Sequence, residues 1–315
     1  MGAIAKLLFG ISPRETTVEK RKFRGGDSMV RERIERIGGA FTCGYHAALL
    51  DQRPEQLVPK LEQVESNYRG VAYEGAAMGL ALLDRLTPWR RDRLQTFLTG
   101  AGEAHSYMVH VGIGWVTARF PGRIENTLTR LDPLLRWLVL DGYGFHEGYF
   151  HWPRYLGGQP IPKRVSGYGA HAFDQGLGRS LWFVDGGDVA NVAQTIRAFP
   201  HTRQADLWSG IGLACVYAGE VNETALNSLR EASGAFRPQL AQGAAFAAKA
   251  RWRAGNPTAY TDRACRAICG LSGEAAAALT DAALENLPTD HAEPPFEVWR
   301  RRIQEHFTQG KELKR

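Results

Sequence analysis

A cluster of titratable side chains lies between Gly144 and Trp152, where His146 and Glu147 are followed by His151. A zinc-binding His-Glu-x-x-His motif places its two histidines at i and i+4, on one face of a helix. His146 and His151 are five residues apart, which separates them by roughly 140° around a helix axis. The spacing argues against a metal site, and His146 and Glu147 are predicted to act as general base and acid. The alternative is that both side chains hydrogen-bond to neighbouring helices.

Polar side chains also precede a series of recurring glycines, often with an aromatic or titratable residue one position earlier. In a helical repeat, equivalent positions line one surface of the stack. A row of acids, amides and aromatics on such a surface would form a groove with proton-transfer and stacking groups. The alternative is that the row bonds to the next repeat and fixes the stacking. The row is Glu74, Glu147, Gln175, Ser209 and Gln242, preceded at four places by Tyr73, His146, Asp174 and Trp208.

These patterns select the candidate site residues. The candidates for proton transfer are Glu74, His146, Glu147 and Asp174. The candidates for substrate binding are Tyr73, His110, Tyr149, Trp152, Tyr155, Gln175, Arg179, Trp208 and Gln242. Trp152 and Tyr155 are expected to cover the ligand, and Arg179 to pair with Asp174 or to hold an anionic group. The sequence has no phosphate-binding loop, nucleophile elbow or dinucleotide fingerprint, and we predict no metal and no cofactor.

The elements that must position these residues are helices that carry a recurring glycine. The glycines are Gly44, Gly75, Gly112, Gly148, Gly176, Gly210 and Gly243, with steps of 31, 37, 36, 28, 34 and 33 residues. Steps of this size are typical of stacked helical hairpins. Glycine costs about 1 kcal/mol inside a helix relative to alanine, so its recurrence indicates close approach of a neighbouring helix.

The sequence therefore predicts an all-α, solenoid-like stack of helical hairpins, tetratricopeptide-like, with one irregular loop insertion. A more compact helical fold with the same hairpins is the alternative. Second helices of the hairpins are expected at 57–64, 91–98, 189–199, 224–232 and 260–269.

One interval departs from this pattern, because residues 152–164 are rich in glycine, proline and aromatics. They are predicted to form the irregular loop, lying over a pocket or a partner surface.

The chain divides into three parts. Residues 1–37 form a charged, exposed N-terminal leader, and Asp27 or Ser28 is expected to cap the first long helix. Residues 38–290 form the helical-repeat domain. Residues 291–315 form a C-terminal helix, around 298–307, and a tail.

Composition limits the partners. The 315 residues include four cysteines and carry a formal net charge of +6. The cysteine spacing is not typical of zinc, and sparse cysteine fits a reducing compartment. The basic charge reflects either genome composition or an acidic partner such as a carrier protein. The absence of a basic–aromatic stripe and of a long apolar run excludes nucleic acid and a transmembrane segment. We expect a cytoplasmic protein, peripheral to the membrane only through a partner.

Four segments resemble a family of bacterial proteins that accompany enediyne polyketide synthases, the UnbL-type enediyne biosynthesis proteins. The segments are residues 69–78 (RGVAYEGAAM), 141–148 (DGYGFHEG), 173–183 (FDQGLGRSLWF) and 241–251 (AQGAAFAAKAR). The likeness extends from about residue 8 to residue 305. The resemblance implies a place early in a pathway, beside an integral-membrane partner and a larger partner protein. Together these proteins are expected to convert a linear polyene toward the enediyne core. The resemblance implies no catalytic residues.

The resulting hypothesis is an accessory protein of enediyne-type polyketide biosynthesis that binds a linear conjugated polyene, with its status as an enzyme left open. One alternative is a non-catalytic helical-repeat scaffold for partner or carrier proteins. Another is a helical cyclase or isomerase acting on another polyene or a terpenoid, although the aspartate-rich strings of terpenoid cyclases are absent from the sequence.

Overall fold

A computed structural model describes residues 2–87, 89, 92–120, 122–288 and 293–309. These residues form seventeen α-helices, and the described part of the chain has no β-strand. The prediction of an all-α helical stack is confirmed. The helices are α1 (Gly2–Phe9), α2 (Val18–Arg21), α3 (Ser28–Leu50), α4 (Pro54–Glu62), α5 (Ser66–Leu86), α6 (Arg93–Leu98), α7 (Ser106–Arg119), α8 (Glu125–Leu128), α9 (Leu138–Leu156), α10 (Gly169–Val184), α11 (Val189–Arg197), α12 (His201–Ala218), α13 (Glu223–Ala232), α14 (Arg237–Arg253), α15 (Ala259–Cys269), α16 (Gly273–Ala282) and α17 (Pro295–Gln309).

The long helices α3, α5, α7, α9, α10, α12 and α14 pack in this order, each against the next, and we call them the inner helices. A shorter helix follows each of them except α9, and up to α13 it returns the chain to the start of the next inner helix. The predicted second helices are confirmed as α4, α11, α13 and α15. The one predicted at 91–98 is α6, and its first predicted residue, Arg91, lies outside the described residues.

Glycines allow the inner helices to approach backbone to backbone. A Cβ at Gly176 would lie 1.7 Å from the carbonyl oxygen of Asp141, and a Cβ at Gly210 would lie 2.0 Å from that of Gln175. Only glycine fits at such distances, so the expected reason for the recurrence is confirmed. The remaining interfaces have the same contact, from Gly44 to Ala72, from Gly112 to Glu74, from Gly142 to Val111 and from Gly243 to Ser209.

Several inner helices carry a pair of such glycines with one residue between them. Positions two apart on a helix point roughly 200° away from each other. The first glycine therefore faces the preceding inner helix, and the second faces the following one. On α10, Gly176 meets the backbone of Asp141 in α9, and Gly178 meets the backbone of Leu207 in α12. The pair therefore allows the helix to pack closely against both of its neighbours.

The fourth repeat is aligned by Gly142, where a Cβ would lie 2.0 Å from a backbone carbonyl oxygen of α7. Gly148 instead lies against a side chain of α10. The predicted place of Glu147 in the polar row is therefore wrong, and Asp141 occupies it. The error arose because α9 contains three glycines, and the sequence alone did not show which of them meets a neighbouring backbone.

The stack closes on itself, because its last inner helices meet its first. Arg251 of α14 donates to the carbonyl oxygen of Asn67 in α5 at 3.0 Å and to that of Tyr217 at 2.6 Å. Asn256 donates to the carbonyl oxygen of Ser66 at 3.0 Å. In an open solenoid each repeat contacts only its neighbours. Here the inner helices form a ring, and all seven of them line the space that it encloses.

The N-terminal leader packs on this ring through a few buried side chains, while most of its charged residues are exposed as expected. Val18 and Phe23 are buried. The backbone N–H of Arg24 donates to the carbonyl oxygen of Val184 at 2.7 Å. Asp27 caps α3 as predicted. The predicted boundary between residues 37 and 38 lies inside α3, and the division into three parts otherwise stays a prediction.

The segment 152–164 begins as helix, contrary to the prediction. α9 runs through Pro153 to Leu156, because His151 leaves helical geometry just before the proline (φ −129°, ψ 20°). The irregular loop is residues 157–168, and Arg164 ties it to the end of α7 through a 2.9 Å bond to the carbonyl oxygen of Phe120. It separates α9 from α10 where the other inner helices have a second helix between them.

The C-terminal helix is α17, which packs on α14. The predicted tail beyond it, residues 310–315, lies outside the described residues. None of the described helices is long and apolar enough to cross a membrane.

Replacing Gly176 by alanine is expected to lower the free energy of unfolding by about 3 kcal/mol or more, because the added methyl group would overlap a backbone carbonyl and force the two helices apart. The matched control is Gly39→Ala in α3, where no described atom lies within 4 Å of a Cβ. Alanine there is expected to raise stability by about 1 kcal/mol. Urea unfolding, monitored by circular dichroism, measures the free energy of unfolding of both variants. Equal effects of the two substitutions would contradict the inferred role of Gly176 in close helix packing.

Candidate functional site

An apolar cavity lies inside the ring, beneath the leader. It has about 740 Å³ of empty volume, solvent at its mouth included. Six inner helices line it, and Ile11 and Thr16 of the leader also contribute to its wall. Cavities with mostly apolar walls and few polar groups are the usual form of small-molecule sites. Its aromatic and apolar wall includes Phe41, Met108, Trp115, Phe145, Phe183 and Tyr217.

Glu74 of α5 is a buried acid in this wall, 4% exposed. Its Oε1 accepts a hydrogen bond from Trp115 Nε1 at 2.9 Å. Burial disfavours the carboxylate and raises the pKa of Glu74 to about 7, although Arg179 opposes the rise. An acid with this pKa exchanges its proton near neutral pH, as general acid–base catalysis requires.

Arg179 of α10 lines the same cavity and forms a buried ion pair with Asp141 of α9. Gln175 donates to the other oxygen of Asp141 at 2.8 Å. The guanidinium charge is therefore neutralised by Asp141, while Glu74 lies close enough for Arg179 to affect its pKa. The three charged groups come from three inner helices.

A row of buried hydrogen bonds continues from Gln175 away from the cavity. Ser209 Oγ lies 3.1 Å from Gln175 Oε1 and 2.9 Å from Gln242 Oε1, and its one proton serves one of them at a time. Arg300 of α17 donates to Gln242 at 3.3 Å. Gln175 and Gln242, predicted to bind substrate, lie in a row that holds neighbouring repeats in register.

His146 and Glu147 form a second cluster outside the cavity wall. Arg119 Nε donates to His146 Nε2 at 3.2 Å, so the ring proton lies on Nδ1, which is 3.3 Å from Glu147 Oε1. Tyr155 donates to Glu147 Oε2 at 2.9 Å. Burial lowers the pKa of His146, which favours this neutral form. Both nitrogens of His146 are therefore in use within the protein.

Asp174 belongs to a third cluster, where it is paired with Arg203 of α12 at 2.5 Å. The predicted pair of Asp174 with Arg179 does not form, because Arg179 binds Asp141 instead. The three predicted acids Glu74, Glu147 and Asp174 are thus in three separate hydrogen-bonded groups.

The predicted aromatic and histidine ligands are also dispersed. Tyr149 lines the cavity. Tyr73 stacks on His105 at 4.0 Å between ring centroids, in a separate apolar cluster. The Nε1 of Trp152 donates to a carbonyl oxygen of the leader at 3.0 Å. His110 and Trp208 are buried and do not belong to the cavity wall described above.

Of the predicted site residues, the structure brings Glu74, Tyr149 and Arg179 together at the cavity. Sequence reasoning missed Trp115, which donates a hydrogen bond to Glu74, and Asp141, which forms the ion pair with Arg179. The correct glycine register would have found Asp141, since it directly precedes Gly142 as Glu74 precedes Gly75. Among the described residues, no group of three or more His, Cys, Asp or Glu is placed to hold a metal ion.

The raised pKa of Glu74 predicts a pH-dependent stability. Between its usual pKa of 4.5 and about 7, the folded chain holds this proton and the unfolded chain does not. Stability therefore falls as the pH rises through this window, and the shift corresponds to about 3 kcal/mol. Glu74→Gln, which keeps an oxygen for Trp115, is expected to remove this loss.

The prediction is tested by measuring the free energy of unfolding of the wild type and of Glu74→Gln between pH 4.5 and pH 8. Their difference should grow with pH by on the order of 3 kcal/mol in favour of the variant. Glu231→Gln, on the exposed surface of α13, is the control and should leave the pH dependence of the protein unchanged. A constant difference between wild type and Glu74→Gln would contradict the buried, titrating acid.

Comparison with known proteins gives one assignment. No curated protein and no solved structure shows significant similarity to this chain. A family described as a protein of unknown function, DUF1702, matches residues 1–307. The match covers every inner helix and the whole cavity wall. The chain therefore belongs to the DUF1702 family of proteins of unknown function.

Proposed function

We propose that this protein is an accessory protein of enediyne-type polyketide biosynthesis. It binds a linear conjugated polyene in the cavity of the ring and takes part in transforming it. The observation that carries the proposal is the apolar, aromatic cavity with a single buried, protonatable acid, Glu74, in its wall. The four sequence segments that resemble UnbL-type proteins support the choice of pathway, and two of them contribute Glu74 and Arg179.

The wall suits a conjugated chain because its rings form a continuous surface. Trp115 lies 4.4 Å from Phe41 and 5.6 Å from Phe145, measured between ring centroids. Phe145 in turn stacks with Tyr149 at 5.9 Å. Burial of apolar surface contributes about 25 cal/mol per Å². A flat, rigid chain gains this burial with little loss of conformational entropy, since a conjugated chain has few rotatable bonds.

Glu74 is the group proposed to move a proton. Glu15, the other acid that lines the cavity, lies in the leader and is paired with Arg21 at the surface. Glu74 instead faces apolar side chains, with Trp115 as the hydrogen-bond donor to one carboxyl oxygen. In its protonated form it can donate to a carbon of the chain, and as a carboxylate it can take a proton back. This is the chemistry that shifting a double bond requires.

A second candidate function, a non-catalytic scaffold for partner proteins, is favoured by α1. Ile4, Leu7 and Leu8 on this short helix are 62%, 85% and 67% exposed. Exposed apolar side chains clustered in this way mark interaction sites. The partners proposed for either function are membrane-embedded and soluble proteins of the same pathway. The scaffold needs no acid in the cavity, which separates the two candidates.

Filling the cavity is expected to weaken polyene binding. Ala218, half-buried at the end of α12, lines the cavity, and Ala218→Phe should raise the Kd for parinaric acid, a fluorescent conjugated tetraene, about tenfold or more. Ala232→Phe, at the half-buried end of α13, is the matched control and should keep the wild-type Kd. Fluorescence titration measures both. Failure of the wild-type protein to bind the tetraene would refute the proposed ligand.

Glu74→Gln is expected to reduce formation of the pathway product in a producing host by about a hundredfold or more, as loss of a general acid does. Polyene binding by the purified variant should be unchanged, because the side chain keeps its shape and its bond to Trp115. Glu231→Gln serves as the control for expression. Full product formation by the Glu74 variant would favour the scaffold.

A further inference from the structure

A second apolar cavity adjoins the first on the side of the C-terminal helix. It has about 420 Å³ of empty volume, solvent included, and Phe246, Phe296 and Trp299 line its far side. The two cavities share four lining residues: Met108, Arg179, Leu213 and Tyr217. The space inside the ring therefore holds two apolar compartments that adjoin along these four side chains, Arg179 among them.

Arg179, which lines both cavities, has an unused hydrogen-bond donor. Its residue is 6% exposed, and its Nη1 is bound to Asp141. Its Nε is buried, and among the described residues it has no hydrogen-bond partner. A buried donor without an acceptor destabilises the protein, so an acceptor that reaches it is strongly favoured.

The charge balance at the junction decides what kind of acceptor fits. Asp141 and Arg179 cancel each other, and Glu74 is neutral when protonated. A carboxylate placed here would add an uncompensated buried charge. A neutral carbonyl oxygen would not, and it would accept from Arg179 Nε.

We propose that the occupant of the ring is an elongated apolar chain with a neutral carbonyl oxygen at an internal position. The oxygen accepts from Arg179 Nε, and the two arms of the chain extend into the two compartments. This inference rests on the proposed function and narrows its substrate class from polyenes in general to internally oxygenated ones.

The test compares two ligands of nearly equal length on the wild-type protein. Dicinnamylideneacetone is a linear cross-conjugated ketone with its carbonyl at the centre, and diphenyloctatetraene is a linear conjugated hydrocarbon with the same two phenyl ends. The ketone is expected to bind about tenfold more tightly, the usual order for one hydrogen bond to a charged donor. Quenching of tryptophan fluorescence gives both Kd values. Equal Kd values would overturn this inference and leave the proposed function standing. If neither ligand binds, both this inference and the proposed function are overturned.

One double variant and a matched control test whether Arg179 causes the preference for the ketone. Arg179→Met with Asp141→Asn removes the junction donor without leaving a lone buried charge. It should lose the preference for the ketone and keep the affinity for the hydrocarbon. Arg203→Met with Asp174→Asn removes a neighbouring ion pair between α10 and α12 and should keep the preference. A preference that survives the first double variant would overturn the assignment to Arg179. If that variant does not fold, the ligand comparison on the wild-type protein decides alone.

Discussion

Contact between glycine and a neighbouring backbone carbonyl is the constraint on which the rest of this structure depends. It recurs at each interface between successive inner helices, where a methyl group would lie about 2 Å from a carbonyl oxygen. Helix axes usually pack 8–10 Å apart, with the separation set by the side chains between them. Without side chains at the crossing, seven helices fit around one small ring. Each glycine costs about 1 kcal/mol of helix propensity, which the packing must offset.

The same constraint places the site. With one glycine of a pair facing each neighbour, the residue before the first glycine takes an equivalent buried position on successive inner helices. Asp141, Gln175, Ser209 and Gln242 occupy this position and bond to one another in a row. Val111 occupies it on α7 and interrupts the row. Glu74, on the other side of Val111, is left outside the row among apolar side chains, and its pKa rises for this reason.

The fold was largely predictable from the sequence because a helical glycine has a local cost that only close packing explains. The spacing of Gly176, Gly210 and Gly243 was sufficient to predict stacked hairpins. Closure of the stack was not predictable, because it depends on contacts such as that of Arg251 with Asn67, far apart in the sequence. The site was predicted in part, through Glu74, Tyr149 and Arg179. The cluster of His146 and Glu147 was the most conspicuous in the sequence, but the identity of titratable residues does not show whether their partners lie in the protein or in a cavity.

The chemistry of Glu74 argues for a role beyond packing. Glutamine at this position would accept the same hydrogen bond from Trp115 and would bury no ionisable group. The acid makes the folded state less stable above its raised pKa, by about 3 kcal/mol, and a cavity beside it forgoes further packing energy. Closure of the ring and the row of buried hydrogen bonds offset both losses of stability. An acid that weakens the fold where an isosteric amide would not is what the proposed function calls for, since proton transfer to a molecule in the cavity needs an ionisable group in its wall.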